Sequence, residues 1–225
     1  MSSPQAVFDT LYAAYGPQHW WPATTDYEII AGAVLTQNTA WRNVERALAN
    51  LRARDLLAPA AVMAVSEAEL ADALRPAGYY NVKAGRLRNL TAALIEDGGV
   101  SGWRQWSTAS LRRRLLGVRG VGAETADCIL LYVLDRPVFV VDAYTRRILA
   151  RLNLARGDES YDVLAHWFLQ GLPAQPDVYN EYHALLVRLG SGACRPRPRC
   201  PVCPLADLCP TGRCHGGGVV VAERQ

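Results

Sequence analysis

Four cysteines near the C-terminal end of this 225-residue chain constrain its fold more than any other feature does. They occupy sixteen residues with the spacing C-x5-C-x2-C-x5-C, and they are Cys194, Cys200, Cys203 and Cys209. Four thiolates so close in sequence can hold a [4Fe–4S] cluster or a structural zinc ion. Zinc modules usually combine two C-x2-C pairs, and this segment contains one, which favours iron–sulfur. We therefore expect the segment to fold around a metal, in a compartment that keeps thiols reduced.

Helical periodicity runs through most of the remaining chain. Apolar residues at 44, 47, 48 and 51 follow the spacing of one buried helix face. Further helices are expected after a capping box at Ser66 and Glu69, with Leu87, Leu90 and Leu94 on one face, and at about residues 107–116, 123–135, 143–153, 160–171 and 177–190. Only residues 138–141 resemble a strand, and one short run cannot form a sheet. The sequence therefore predicts an all-α protein.

The positive charge of the chain is made almost entirely of arginine. Of its 24 lysines and arginines, Lys83 alone is a lysine, and the net charge is +3. A genome biased toward arginine codons accounts for this composition, but the consequence is chemical, because few positions can support amine chemistry. The mildly basic balance permits an anionic partner without requiring one. Neither a secretory signal nor an apolar run of about 18 residues is present, so we expect a cytoplasmic protein with no membrane contact.

A glycine-rich segment from Leu116 to Ala126 predicts a hairpin between two helices. We expect Gly117, Gly120 and Gly122 to take positive φ and to let the backbone approach a partner closely. A helix begins directly afterwards, so its free N–H groups and the positive end of its dipole face the same point. Such an arrangement binds a phosphate without reading the sequence of a nucleic acid. The alternative is a simple tight turn between two packed helices.

The order of several motifs resembles the helix–hairpin–helix DNA glycosylases of the endonuclease III superfamily. The hairpin is followed by Arg136-Pro137 and by residues 140–144, as in that family. Residues 35–39 are similar to its glutamine-bearing loop, and residues 78–84 to its next DNA-facing loop. The four cysteines complete the pattern, although five residues separate the first two where the family more often has six. The resemblance extends over most of the chain.

This resemblance implies two helical lobes that flank a cleft for double-stranded DNA containing a damaged base. A six-helix barrel with the hairpin would span residues 26–136. The second lobe would combine residues 1–25 with residues 137–225 and would hold a [4Fe–4S] cluster. The resemblance also implies a monomer associated with the bacterial nucleoid.

Asp142 matches the essential aspartate of the family and stands at the start of an expected helix. Breaking an N-glycosidic bond builds positive charge on the deoxyribose, which a nearby carboxylate stabilises. The same carboxylate can orient or deprotonate an attacking water. The alternative is an ordinary helix N-cap, for which aspartate is a preferred residue. With the hairpin in front of it, we assign Asp142 to catalysis.

Glu124 occupies the position at which bifunctional members of the family carry a lysine. That lysine attacks the sugar and forms a Schiff base that leads to strand cleavage. Neither a carboxylate nor a permanently charged arginine can form an imine. The sequence therefore predicts a monofunctional enzyme in which water attacks, with Glu124 at the pocket. The alternatives are a solvated glutamate at a helix start and a bifunctional enzyme that uses another amine, such as the N-terminus.

Aromatic residues suggest the base that is recognised. Trp20-Trp21-Pro22 and Trp41 resemble the 3-methyladenine glycosylase branch, and with Tyr144 they form the candidate base pocket. Aromatic stacking holds an extruded base, and a cationic alkylated purine gains a cation–π term. The alternative is that these tryptophans are buried packing residues at the junction of the two lobes. The competing functions are an endonuclease III-type enzyme for oxidised pyrimidines with weak lyase activity, and a non-catalytic binder of damaged DNA.

The remaining candidates concern DNA contact and the other cysteines. Gln37 and Tyr79 are expected to fill the gap that an extruded nucleotide leaves, and Lys83 and Arg197 to contact phosphates, with solvation as the alternative for Arg197. Cys128 lies among apolar residues and is expected in the core, whereas the sequence suggests no role for Cys214 or the C-terminal tail.

Overall fold

The computed structural model describes residues 3–215, and this part of the chain is entirely helical in its regular structure. The all-α prediction is confirmed. The helices are α1 (Pro4–Tyr15), α2 (Asp26–Leu35), α3 (Trp41–Ala53), α4 (Pro59–Ala64), α5 (Glu67–Ala73), α6 (Tyr80–Glu96), α7 (Gly99–Arg104), α8 (Thr108–Leu116), α9 (Ala123–Tyr132), α10 (Ala143–Arg151), α11 (Tyr161–Gly171), α12 (Pro176–Ser191) and α13 (Pro210–His215). Short 3-10 turns span Arg75–Ala77, Cys200–Val202 and Ala206–Leu208. None of the described helices is long and apolar enough to cross a membrane.

The chain divides into two compact units. The hairpin unit is Trp21–Arg136, and the cysteine unit combines Met1–Trp20 with Pro137–Gln225. The sequence placed these boundaries at residues 26 and 136. The hairpin unit contains the eight helices α2 to α9, of which α4, α5 and α7 have seven residues or fewer. The side chain of Cys214 lies outside the described part of the chain.

Local signals in the sequence account for several helices. The four apolar residues predicted on one face of α3 are all buried. At α5 the Ser66 hydroxyl accepts a hydrogen bond from the Glu69 backbone, and the Glu69 carboxylate accepts one from the Ser66 backbone, which is the expected capping box. Helix α9 ends at Tyr132, three residues earlier than expected. The backbone at Asp135 is left-handed, with φ of 52°, and Pro137 follows it.

The helix at the centre of the hairpin unit is buried on almost every side. Eight of the ten residues of α2 are buried, and it packs against α3, α6 and α9. The Thr25 hydroxyl caps it by accepting a hydrogen bond from the Glu28 backbone. A helix that is buried on almost every side shows only a weak 3.6-residue period, so the sequence did not predict it. Helices α1, α4, α7 and α13 were not predicted either, and residues 138–141 form no strand.

A buried ion pair joins the two helices that flank the hairpin. Arg112 of α8 donates to both carboxylate oxygens of Asp127 in α9, at 2.7 and 3.1 Å. The Asp127 side chain is 3% exposed, and the bidentate geometry satisfies both of its oxygens. Helices α8 and α9 are thereby fixed on either side of the glycine-rich turn.

Aromatic packing builds the core of the cysteine unit. The rings of Phe139 and Phe168 stack with centroids 3.7 Å apart, and Tyr182 meets both rings edge-on. Helix α10 packs against α12, where a Cβ at Gly190 would lie 2.6 Å from Tyr144. This close approach sets the position of α10, whose N-cap residue is the candidate catalytic aspartate, Asp142.

Candidate functional site

The hairpin exposes the first turn of α9. Gly117 closes α8 with φ of −75°, and Gly122 precedes α9 with φ of −99°. Positive φ was expected at all three glycines, but only Gly120 has it, at +98°. A Cβ at Gly120 would also lie 2.3 Å from the Cγ of Arg86, so two constraints require glycine there. At Gly122 no described atom lies within 4 Å of a Cβ position, and its N-cap position provides no side-chain hydrogen bond to the first turn of α9. Amides at a helix start that no side chain caps are suited to binding an anion.

Gln37 is held against this hairpin. Its amide nitrogen donates to the Gly120 carbonyl at 3.1 Å and to the Thr125 hydroxyl at 2.9 Å. Its amide oxygen accepts a hydrogen bond from the guanidinium of Arg86. The sequence predicted that Gln37 fills a gap in DNA. In the structure its amide fastens the loop after α2 to the hairpin, and the gap-filling role stays a prediction.

Tyr79 projects from the surface of the hairpin unit. Its side chain is 73% exposed, and its backbone is left-handed, with φ of 46°. A non-glycine residue in this region is uncommon and marks a site that the surrounding structure enforces. An exposed aromatic ring on a fixed backbone suits the predicted gap-filling role.

Lys83 does not support its predicted role as a phosphate contact. Its side chain is buried, with 1% of the residue exposed. The ammonium nitrogen donates to the backbone carbonyls of Leu35 and Ala77, at 2.9 and 2.7 Å. Burial, followed by the positive charge of Arg86, lowers the pKa of Lys83 to about 8. An amine in this position faces the interior of the unit, because α6 turns residue 83 toward the end of α2.

Glu124 lies in the first turn of α9, directly after the hairpin, and is exposed. Acidic residues are favoured in the first turn because they complement the helix dipole. The structure is therefore compatible with a stabilising surface residue as well as with the predicted pocket role. It places no amine in this turn, because residues 123–126 are Ala, Glu, Thr and Ala.

Two of the predicted pocket tryptophans are in contact. The rings of Trp21 and Trp41 meet edge-on with centroids 5.2 Å apart, and Trp21 meets Tyr132 at the same distance. Gly32 of α2 makes room for them, since a Cβ there would lie 2.8 Å from the Trp21 ring. Trp20 belongs to the cysteine unit. Both Trp21 and Trp41 are partly exposed, so an apolar partner can reach them.

Tyr144, the fourth predicted pocket residue, lies in the first turn of α10 in the cysteine unit. It packs against Gly190 of α12. The guanidinium of Arg147 lies 5.2 Å from the centre of its ring, within the range of a cation–π contact. These neighbours fix the orientation of the ring.

Asp142 caps α10 with one carboxylate oxygen, and the cap does not use the second. Oδ1 accepts a hydrogen bond from the Thr145 backbone at 2.7 Å. Oδ2 lies 3.8 Å from Nε2 of His183, and the Asp142 side chain is 12% exposed. The N-cap interpretation and the catalytic interpretation are therefore compatible, because the cap uses one oxygen and holds the carboxylate in one orientation.

The sequence did not predict two contacts, that of His183 with Asp142 in the cysteine unit and that of Arg86 with Gln37 in the hairpin unit. His183 is buried in α12, and burial lowers its pKa although the carboxylate of Asp142 acts in the opposite direction. A neutral imidazole therefore faces Asp142 at neutral pH. Arg86 could have been found from its spacing, because it follows Lys83 by three residues on one helix face.

The four cysteines of the C-terminal motif line a single cavity. Its empty volume, including the open mouth, is about 280 Å³, and Arg151, Pro198 and Thr211 complete the wall. Burial raises the pKa of Cys203, and the neighbouring thiols of Cys194, Cys209 and Cys200 raise it further. The other three thiols therefore lie near that of Cys203, where thiolates would repel one another, and a cationic centre would relieve that repulsion.

Among the described residues that line the cavity, the candidate ligands are chemically uniform, because they are four thiols with no carboxylate or imidazole. Soft thiolates select iron–sulfur clusters or zinc. Within residues 3–215, no group of three or more histidine, cysteine, aspartate or glutamate side chains is arranged to hold a single metal ion. Arg151 contributes a further contact, because its guanidinium donates to the Cys194 sulfur at 3.2 Å.

Arg197 lies in the loop between the first two cysteines and is exposed. This placement suits the predicted phosphate contact as well as the alternative of solvation. Cys128 is buried in α9, which confirms its prediction as a core residue.

Comparisons with known proteins point in one direction. Residues 31–173 match the model of the HhH-GPD superfamily of base excision DNA repair proteins. A protein of Methanocaldococcus jannaschii, provisionally named a DNA repair glycosylase, is 45% identical over 206 residues, which is 90% of this chain and 94% of that protein. The structure of H. pylori 3-methyladenine DNA glycosylase bound to 1,N6-ethenoadenine is 29% identical, with a TM-score of 0.74 over 84% of this chain and 97% of that one. A non-covalent endonuclease III–DNA complex shares the fold, with a TM-score of 0.81 at 23% identity over 97% of this chain and 100% of that one.

Proposed function

Because the chain belongs to the HhH-GPD superfamily of base excision DNA repair proteins, we propose that it is a monofunctional glycosylase that releases alkylated purines from double-stranded DNA. Its hairpin binds a backbone phosphate through the amides at the start of α9. The exposed Tyr79 ring enters the stack where a nucleotide has been extruded, and Arg197 adds a phosphate contact. The protein acts as a monomer on DNA in the cytoplasm.

Asp142 supplies the negative charge for the reaction. As the glycosidic bond breaks, positive charge develops on the sugar, and a fixed carboxylate stabilises it without reorganisation at that moment. The Thr145 amide holds Oδ1, so Oδ2 is the oxygen that orients or deprotonates the attacking water. The Nε2 atom of His183, 3.8 Å from Oδ2, lies on the buried side of the carboxylate.

The monofunctional assignment depends on one observation: the ε-amine of the only lysine is buried and donates to two carbonyl groups. A nucleophilic amine must reach the sugar carbon of the substrate. Lys83 cannot do so without breaking both hydrogen bonds, and Glu124 occupies the position after the hairpin. Water is therefore the nucleophile in this proposal, and another amine, such as the N-terminus, is the alternative that borohydride trapping tests.

Alkylated purines are favoured by the Trp21–Trp41 pair and by the likeness to the H. pylori 3-methyladenine enzyme. An alkylated purine that carries a positive charge gains a cation–π attraction to an electron-rich indole ring. The pair is partly exposed, which leaves ring surface for a base to stack upon.

In the cysteine unit, Cys194, Cys200, Cys203 and Cys209 hold a [4Fe–4S] cluster. A cluster held by these four thiolates would cross-link the loop between α12 and α13, and its contribution would be to the stability of the cysteine unit. Arg151 donates to the Cys194 sulfur, and hydrogen bonds of this kind tune the properties of such clusters.

The monofunctional proposal predicts base release without strand cleavage. On a labelled duplex containing one alkylated purine, wild-type protein should release the base and leave the abasic site mostly uncut. Borohydride should trap no covalent complex, because only an imine can be reduced to one. Trapping at a level that matches the rate of base release would show that an amine of the protein is the nucleophile. The family assignment would stand in that case, and the monofunctional assignment would not.

The substrate assignment predicts a selective loss in Trp21→Ala. Base stacking on an aromatic side chain is worth about 1–3 kcal/mol, so base release should fall roughly 5- to 150-fold. Affinity for undamaged duplex should change little. Trp106→Ala is the matched control, since Trp106 is an exposed tryptophan of the same unit. Efficient release of thymine glycol by the wild type, without release of 3-methyladenine, would instead favour oxidised pyrimidines.

A further inference from the structure

Lys83 joins the starting points of two DNA-facing loops. Leu35, which accepts one of its hydrogen bonds, is the last residue of α2. Residues 36–40 follow it and form the Gln37 loop. Ala77, which accepts the other, ends the 3-10 turn Arg75–Ala77. Gly78 and Tyr79 follow it and form the Tyr79 loop.

We propose that Lys83 is a positioning residue that holds the Gln37 loop and the Tyr79 loop in one arrangement for nucleotide extrusion. It contacts no DNA itself. The inference depends on the proposed function, because the spacing of the two loops matters only if both meet a duplex.

The local chemistry favours an ammonium group at this position. The last carbonyls of a helix lack partners within the helix and carry partial negative charge, so a cation stabilises them. A compact ammonium can direct separate N–H groups at two carbonyls, whereas a planar guanidinium has its donors in a rigid fork. The rest of the chain uses arginine for every cation, and this buried position is its one exception.

Two residues in the next turns of α6 contact the Gln37 loop and the hairpin. Arg86 donates to the Gln37 amide oxygen, and its aliphatic stem lies against Gly120. Asn89 donates to the Arg119 carbonyl of the hairpin at 3.0 Å. Residues 83, 86 and 89 of one helix therefore connect the Gln37 loop, the Tyr79 loop and the hairpin.

Deprotonation leaves the Lys83 contacts intact. Its pKa of about 8 means that a fraction of the amine is neutral near physiological pH. A neutral amine still has two N–H groups, which is the number that the two carbonyl acceptors require. The anchor is consequently constant across this pH range.

A chemical test follows from the presence of only one lysine. Folded protein is treated with an N-hydroxysuccinimide ester of acetate, and acetylation of the Lys83 peptide is measured by mass spectrometry, with denatured protein as the fully reactive reference. We expect Lys83 to be protected equally in free protein and in the complex with duplex DNA. Rapid acetylation of free protein that is suppressed by DNA would overturn the proposal and restore the phosphate contact. This readout does not depend on catalytic activity.

A mutational test separates positioning from stability. Arg88→Met is the matched control, because Arg88 is a cation of the same helix that donates to the carbonyls of Val62 and Val65 near α4. Lys83→Met should lower base release and the fluorescence rise of an extruded 2-aminopurine roughly 100-fold, as expected when groups are misplaced by about 1 Å. Its affinity for undamaged duplex should be retained.

Lys83→Arg should resemble Lys83→Met although it keeps the charge, whereas Arg88→Met should extrude and release the base normally. Equal losses in Lys83→Met and Arg88→Met would reduce Lys83 to a general stabilising residue and overturn the proposal. Absence of base release by the wild type on every lesion would instead contradict the proposed function. The acetylation result would still decide where the amine lies.

Discussion

Asp142→Asn is expected to lower base release roughly 100- to 1,000-fold, the usual effect of removing one electrostatic group that stabilises a transition state. Asparagine keeps the shape of the side chain, and its amide oxygen can still accept the Thr145 hydrogen bond that caps α10. It carries no charge to offset the developing cation. Single-turnover release of an alkylated purine measures the effect, while the thermal midpoint and duplex affinity should be close to wild type.

A cap variant separates chemistry from stability. The Ser160 hydroxyl caps α11 by accepting from the Val163 backbone, so Ser160→Ala removes a cap in the same unit without touching the carboxylate. Losing a cap costs about 0.5–2 kcal/mol of stability, and Ser160→Ala should retain its rate of base release. If Asp142→Asn lost stability as Ser160→Ala does and kept its activity, Asp142 would be only a cap.

Cys200→Ala is expected to give a colourless protein. Wild type should be brown with about four irons per chain, and removal of one thiolate should lower the iron content to near zero. The free energy of binding a structural metal centre is coupled to folding, so the cysteine unit should unfold at lower temperature. Iron analysis, visible absorption and thermal unfolding measure these effects.

Cys128→Ala is the matched control, because Cys128 is a buried core cysteine of α9 in the hairpin unit. It should keep both colour and iron. Wild-type protein with one zinc ion per chain and no visible absorption would contradict the cluster assignment and support the zinc alternative.

The candidate site could be predicted from the sequence wherever local rules determine the structure. The hairpin, the acidic cap at Asp142 and the grouping of the cysteines all follow from residues close together in the chain. Local spacing could not establish which glycine needs positive φ. That depends on Arg86 from another helix, whose stem lies where a Cβ of Gly120 would be.

The remaining differences between prediction and structure arise because the fold decides where a side chain points and which distant residues it meets. Lys83 belongs to a segment that resembles a DNA-facing loop, yet α6 turns its side chain into the interior of the unit. The neighbour of Asp142, His183, is 41 residues away in sequence, and no spacing rule connects them. Helix α2 was not predicted because burial on almost every side weakens the period that reveals an amphipathic helix.

The buried Arg112–Asp127 pair has a consequence for how the affinity of this chain for DNA depends on salt. Dissolved ions screen a buried pair far less than an exposed one, so α8 and α9 keep their relative position as ionic strength rises. The phosphate contacts of the hairpin weaken over the same range because the release of counterions from DNA on binding becomes less favourable as salt rises. The slope of log affinity against log salt concentration should therefore depend only on the number of phosphate contacts. A change in the shape of the hairpin should contribute nothing to it.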